Sequence, residues 1–246
     1  MSLFAAQSSQ ASLSDESGSL PARINEASGL IASEQSPGIY WTHNDNIDLP
    51  ASSRKSQPLI FAINSTGALQ GSLYITSTTQ RDWEAITAAR INGTPTLIVG
   101  DIGDNRGTWS DYRLWFIPEP LRPSPQASAN PTALLRFRYP EQTPPKPQQS
   151  DQSARQSTGN GSGKKDEKSN WSGGLDAESL AFDPRSQALL ILTKREKPAR
   201  LFSLPLAART LLTTHENITL NQQIRQAPVT TAQFIAQLPP LPAPDF

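Results

Sequence analysis

The chain has 246 residues, 22 Lys and Arg against 22 Asp and Glu, and no cysteine. Charge balance gives no basic footprint for nucleic acid and no polycationic face for a membrane surface. The missing thiols exclude disulfides, thiolate metal sites and a cysteine nucleophile, and no apolar run reaches the ~18 residues of a membrane-spanning helix.

Residues 1–20 are rich in Ser, Ala and Gln and read as a disordered N-terminal segment. Met1–Leu20 carries no Lys or Arg and only the apolar patch Leu3–Ala6, so no export signal is visible. Residues 21–246 read as one all-β unit. Pro58–Asn64 is an apolar run, followed by the turn Ser65-Thr66-Gly67 and a second run, Leu69–Ile75. Trp83–Ile91 and Leu204–Leu212 fit a short helix on spacing alone; the first is assigned to a strand because of the repeat described below. Tyr112, Leu114 and Phe116 alternate with Arg113, Trp115 and Ile117. Leu135, Phe137 and Tyr139 alternate with Arg136 and Arg138, which predicts a strand with a wet outer face. Residues 141–170 have Ala154 as their only aliphatic side chain. Such a stretch cannot bury enough surface to offset the entropy of ordering, so it reads as a disordered insertion. The proline-rich LPPLPAPDF follows the last repeat.

Three segments repeat one another: Glu26-Ala27-Ser28-Gly29-Leu30, Glu84-Ala85-Ile86 and Glu178-Ser179-Leu180. In each, a Glu opens an apolar strand. A turn follows (Ser36-Pro37-Gly38, Asn92-Gly93-Thr94, Asp183-Pro184-Arg185), then a second strand (Ile39–Thr42, Leu97–Gly100, Leu189–Thr193). The Glu-to-strand-end spacing agrees to one residue among the copies. Setting aside a loop around 141–170 makes the intervals between copies agree too. Four strands per period, repeated, predict β-propeller blades. Three blades are too few to close a ring, so the expectation is an incomplete propeller that continues beyond Phe246.

The motifs E-A-S-G-L, W-T-H-N-D, D-W-E, G-D-I-G-D-N, Y-R-x-x-x-x-P-E-P, D-A-E-S-L and T-K, in this order over about 24–205, resemble bacterial phytase-like or esterase-like β-propeller proteins. The chain departs from that pattern at Ala85, where the family usually has a second acid, and in the long insertion. The resemblance implies a propeller fold and a periplasmic or extracellular location. It also implies a metal-dependent hydrolase of phosphate or carboxyl esters as an alternative to a binding role.

Blade-opening strands line a propeller's channel, so Glu26, Glu84 and Glu178 are expected to converge, with Asp82 and Asp176 just before two of them. Crowded carboxylates hold a cation, share protons or pair with bases; Arg81, His43 and Lys194 are the available bases. Alternatively, each Glu bonds the next blade and fixes its register. Asp101, Gly103 and Asn105 are spaced by two, with Asp104 adjacent, so Asp101, Asp104 and Asn105 offer oxygens in a tight loop of the kind a calcium site wants, although without the full twelve-residue calcium pattern, and Asp, Asn and Gly also simply make turns. The same choice applies to Asn44, Asn46 and Asp48. There is no Gly-x-Ser-x-Gly elbow, no phosphate-cradling Gly-Lys-Ser/Thr loop and no His-Glu-x-x-His helix. His43 beside an acid is the one candidate general base, and a turn histidine is the plainer reading. The sequence therefore points to a binding or scaffold domain, with His43, Asn44, Asp101, Asp104, Asn105 and Lys194 on its upper face and calcium as the implied cofactor. It does not name the small molecule or protein bound.

Overall fold

A computed structural model describes residues 18–45, 58–144, 172–206, 212–213 and 219–239. Most of the expected disordered segments, and Asn46 and Asp48, lie outside these residues, as do 207–211 of the Leu204–Leu212 stretch, whose described ends belong to strands and not to a helix. No described helix is long and apolar enough to cross a membrane.

The regular structure of the described residues is mostly β, with one short helix. The first sheet contains β1 (Ala27–Ala32), β2 (Ile39–Asn44), β3 (Leu59–Asn64) and β4 (Leu69–Ile75) as an antiparallel meander. The second contains β5 (Trp83–Ile91), β6 (Thr94–Asp101), β7 (Tyr112–Pro118) and, after β8 (Ala127–Ala129), β9 (Ala133–Arg138). The third contains β10 (Ala177–Asp183), β11 (Ala188–Thr193) and β12 (Arg200–Pro205). It is completed by β15 (Gln233–Gln237), which follows β13 (Leu212–Thr213), the helix α1 (Leu220–Gln226) and β14 (Val229–Thr231). The all-β reading and three four-stranded antiparallel meanders are thus present. No closed ring is formed by the described residues.

Three features differ from the sequence reading. Not every strand is antiparallel: β8 adds to β4 and β14 adds to β9 in parallel, extending two sheets at an outer edge. The helix α1 interrupts the third period. Its cap is a reciprocal Thr219–Gln222 box, in which the Thr side chain accepts from the Gln222 N–H and the Gln side chain accepts from the Thr219 N–H. Finally, the outer face of β9 is half-covered: Arg136 Nε donates to Asp111 Oδ2 at 2.9 Å and Arg136 Nη1 donates to the Ile224 and Ala227 carbonyls at 2.7 and 3.1 Å, so this half-buried cation is held beneath α1.

The core lies between sheets. Trp41, Ile60, Leu73 and Ile75 of the first sheet pack against Ile86, Leu97, Val99 and Trp115 of the second. Ile98, Leu114, Phe116 and Phe137, on the second sheet's other face, pack against Leu189, Ile191, Phe202 and Leu204 of the third. The second sheet is buried on both faces, which is why β7 reads as nearly continuous apolar sequence instead of alternating. Asn92 and Gly93 have φ of 50° and 80°, the left-handed pair that an Asn-Gly hairpin turn needs.

Glu141–Pro144 belong to the fold, so the excursion begins later than residue 141. Buried Gln142 accepts from the Tyr139 N–H at 2.6 Å and donates to the Trp109 carbonyl at 2.7 Å. Thr143 and Ser172 then pair as an isolated antiparallel bridge, so the chain leaves and re-enters at one place, as an inserted segment does.

Candidate functional site

Each meander opens with the same distorted hairpin. A β-bulge falls between Ala27 and Gly29, between Trp83 and Ala85, and between Ala177 and Ser179. The carbonyl just before each bulge accepts from the residue just past the second strand. These bonds are Asp45 N–H to Glu26 O at 2.8 Å, Ile102 N–H to Asp82 O at 3.1 Å and Lys194 N–H to Asp176 O at 2.9 Å. A bulge adds one unpaired residue, bends its strand and re-aims a side chain. The residues so placed are Ser28, Glu84 and Glu178. The position before the bulge pair is occupied by Glu26, Asp82 and Asp176. The first copy is therefore offset by two residues from the register of the shared Glu: Glu26 is equivalent to Asp82, and its side chain is exposed.

The first strands of the three meanders lie side by side, β5 between β1 and β10. Ser28 Oγ donates to Glu84 Oε2 at 2.8 Å, linking the first two bulges. Glu84 is 4 % exposed. Burial pushes its carboxyl up to about 7; the Ser28 bond opposes this, while Asp45, Glu178 and Asp176 add to it. Asp82 is raised to about 8, first by burial and then by Glu84 and Asp45. Asp45, Asp82 and Glu84 each bring an oxygen within 4.8 Å of the others. Gly103 seals this cluster from the adjoining loop. A Cβ there would lie 2.5 Å from the Asp82 carboxyl carbon and 2.8 Å from Glu84 Cγ, so only glycine allows the approach.

The G-D-I-G-D-N loop acts mainly through protein hydrogen bonds. Asp101 Oδ1 accepts from the Arg81 and Asp82 N–H groups at 3.2 and 2.8 Å, and Oδ2 accepts from Arg81 Nε at 2.8 Å. Asp104 accepts from the Thr108 and Trp109 N–H groups and from the Tyr112 hydroxyl, at 2.9 to 3.0 Å. Its own N–H donates to Asp176 Oδ1 at 2.8 Å, tying the loop to the third sheet. Asn105 is exposed and accepts from Arg195. The three residues expected as a calcium loop thus have protein donors on their oxygens, and the convergent carboxylates lie beside them.

The remaining candidates are distributed around this centre. Arg195 Nε donates to Asp176 Oδ2 at 2.7 Å, and Lys194 pairs with Glu178. Asn44 accepts from the Glu26 N–H at 3.3 Å and donates to the Arg23 carbonyl at 2.9 Å. In this it is the first-sheet counterpart of Asp101. His43 is fully buried, edge-on to Trp83 at 6.0 Å. Its Nδ1 lies 3.0 Å from the Asn44 carbonyl. Burial lowers its pKa to about 4, so it stays neutral near pH 7.

Asp45 is the member that residue patterns missed. It was visible only as the last letter of W-T-H-N-D, one position past the end of β2. Comparison of the chain with protein-family models, with curated proteins and with solved structures finds no match.

Proposed function

We propose that the chain is an exported binding or scaffold domain of β-propeller type. In this reading its channel-side strand ends hold a divalent cation, calcium by its oxygen chemistry, at Asp45, Asp82 and Glu84. Three antiparallel meanders with adjacent opening strands support the propeller reading. The observation that carries the cation is the convergence of the three carboxylates within 4.8 Å. Such a group is costly to ionise, and a hard cation relieves that cost. Calcium takes about 6–8 oxygens, more than these side chains fill comfortably. The remaining positions would belong to water or to oxygens of a bound ligand.

Binding is favoured over phosphate-ester hydrolysis by the state of the neighbouring cations. Arg81, Lys194 and Arg195 are each paired with a carboxylate: Asp101, Glu178 and Asp176. A phosphate-holding site needs cations whose donors face the ligand.

Calorimetric titration of the metal-free protein with calcium tests the proposal, run in two buffers of different ionisation enthalpy at pH 7. Binding should release protons, because Asp82 and Glu84 must ionise to become ligands. The melting temperature should climb with calcium concentration by mass action. Asp82→Asn should abolish both responses. No heat, or heat unaltered in Asp82→Asn, would refute the site.

A further inference from the structure

Two of the three sheets carry an added parallel strand, and both obtain it in the same way. β8 lies in the connection between β7 and β9, the third and fourth strands of the second sheet, yet it pairs with β4, the fourth strand of the first. β14 lies in the connection between β12 and β15, the third and fourth strands of the third sheet, and it pairs with β9, the fourth strand of the second. Each following sheet thus lends a short strand to the outer edge of the sheet before it. Among the described residues no strand lies on the outer edge of β15, the fourth strand of the third sheet.

The registers fix where a strand on that edge would lie. Followed from the bulges across each sheet, the pairings give Ile75, Phe137 and Leu238 one common position. The bonds agree: the Ile75 N–H donates to the Pro58 carbonyl and the Leu238 N–H to the Ala199 carbonyl, each at 2.8 Å. The lent strands cover Leu73–Ile75 and Arg136–Arg138, so the positions covered in both sheets correspond to Gln237 and Leu238. Ile75 and Phe137 are fully buried, whereas Leu238 is 37 % exposed. N–H groups alternate between the two sides of a strand. That of Leu238 faces β12, so that of Gln237 faces the open edge, as the Tyr74 N–H faces β8. β15 carries neither charge nor proline, the usual guards of an edge, and its bulge falls at Ile235, before this stretch. Pro239 ends the ladder: its counterpart Thr76 donates to the Ala129 carbonyl at 2.9 Å, which a proline cannot do.

We infer that the outer edge of β15 binds a short extended segment of a partner polypeptide, added parallel to the strand against Gln237 and Leu238. In such additions the main-chain bonds supply affinity and the alternate side chains supply selectivity. The lent strands define the partner's chemistry. They are Ala127-Ser128-Ala129 and Val229-Thr230-Thr231: uncharged, small or β-branched, and free of proline. Ala129 stands opposite Ile75 and Thr230 opposite Phe137, so a small or β-branched residue belongs opposite Leu238. The cation site plays no part in this pairing, and either proposal can fail without the other.

Titration of the isotope-labelled full chain with a capped peptide of the sequence Ala227–Gln233, followed through backbone amide resonances, tests this. The Gln237 amide should shift saturably at millimolar peptide and exchange more slowly with solvent. A spin label on the peptide's amino end should broaden Phe234 more than Leu238, the mark of parallel addition. Gln237→Pro removes the outward donor and no bond to β12, so it should weaken binding about tenfold while far-ultraviolet circular dichroism stays unchanged. A peptide N-methylated at the position of Thr230 should weaken binding in the same measure and leaves the protein unaltered. Its N–H is aimed at the acceptor strand, as that of Ala232 is aimed at the Arg138 carbonyl. Shifts that do not saturate, binding indifferent to the methylated peptide or to a folded Gln237→Pro, or broadening strongest at Leu238 would overturn the inference. So would a Gln237 amide already protected in the free chain, because the chain would then cover this edge itself.

Discussion

Metal-free protein should lose stability as pH rises from 6 to 9, against the usual behaviour of carboxylate-bearing proteins, and Glu84→Gln should remove part of that loss. Glu84 is raised from 4.5 to about 7 and Asp82 from 3.8 to about 8. A group whose folded pKa lies above its unfolded value contributes stability at low pH and loses it as pH passes the folded pKa. Between pH 6 and 9 the unfolded chain has already released both protons, while the folded chain still has to release them. Glu84 then accounts for about one unit of log stability, or ~1.4 kcal/mol. Asp82 accounts for up to about twice that before a discount for its partial exposure to solvent. His43 opposes both. Its pKa is lowered to about 4, so it destabilises the folded state while the unfolded imidazole still binds a proton, and stability rises by somewhat under ~1 kcal/mol as that proton is lost. The net expectation is a fall of ~2 kcal/mol, read from urea unfolding midpoints at pH 6, 7, 8 and 9 with a chelator present. Glu84→Gln keeps an acceptor for Ser28 and removes the charge, so its curve should be flatter by ~1 kcal/mol. Saturating calcium should flatten the wild-type curve as well. A wild-type midpoint that stays level or rises over this interval would refute the raised carboxyls of Glu84 and Asp82.

Glu119→Ala should destabilise by ~2–4 kcal/mol, because the buried carboxylate accepts from Trp41 Nε1 at 2.9 Å, from Ser33 Oγ and from the Glu34 N–H, and truncation strands a buried indole donor. Chemical unfolding would measure it, and a change under ~1 kcal/mol would show that water replaces the carboxylate. Arg136→Met should cost ~3–5 kcal/mol by leaving Asp111 short of a partner and the last turn of α1 without its donor. Amide exchange over 220–227 should accelerate; exchange at the wild-type rate would mean the guanidinium does not hold the helix. Asp111 is pushed up by burial but held down to about 2 by Arg136, Arg113 and Arg81. In the wild type its stabilisation is lost only as pH falls from about 4 toward 2, and in Arg136→Met that loss should begin at higher pH.

The sheet class and most strands were legible because strand signals are local. Apolar runs bounded by Asn-Gly, Asp-Pro or Thr-Gly mark hairpins whatever they pack against. The capping box of α1, Thr219-x-x-Gln222, went unread, because about two helical turns between strands give too short a period to stand out. Partners distant in the chain were not legible. Arg136 and Arg138 alternate with aromatics just as they would on a wet strand, and nothing near them in the sequence announces that Asp111 and two helix carbonyls wait for Arg136.

The acidic site shows why letter matching and geometry part company. The Glu-Ala-Ser, Glu-Ala-Ile and Glu-Ser-Leu strings align by identity and place Glu26 with Glu84 and Glu178. The backbone counts from a different mark, the bulge, and the hydrogen bonds across it set Glu26 level with Asp82 and Asp176. A bulge consumes one residue without a partner, so a string that begins two positions early still produces a well-formed hairpin. What changes is the side chain delivered to the common centre: a serine hydroxyl in the first sheet, carboxylates in the next two. That substitution makes the cluster asymmetric. Ser28 can donate to Glu84, which a third carboxylate could not do in its ionised form. The acids that remain are Glu84, Asp82 and Asp45, the last reached through the carbonyl bond that closes the first bulge. Repetition of the fold thus builds three like positions, and the one unlike residue among them, Ser28, leaves the carboxylates gathered on one side, the side on which the proposed cation would sit.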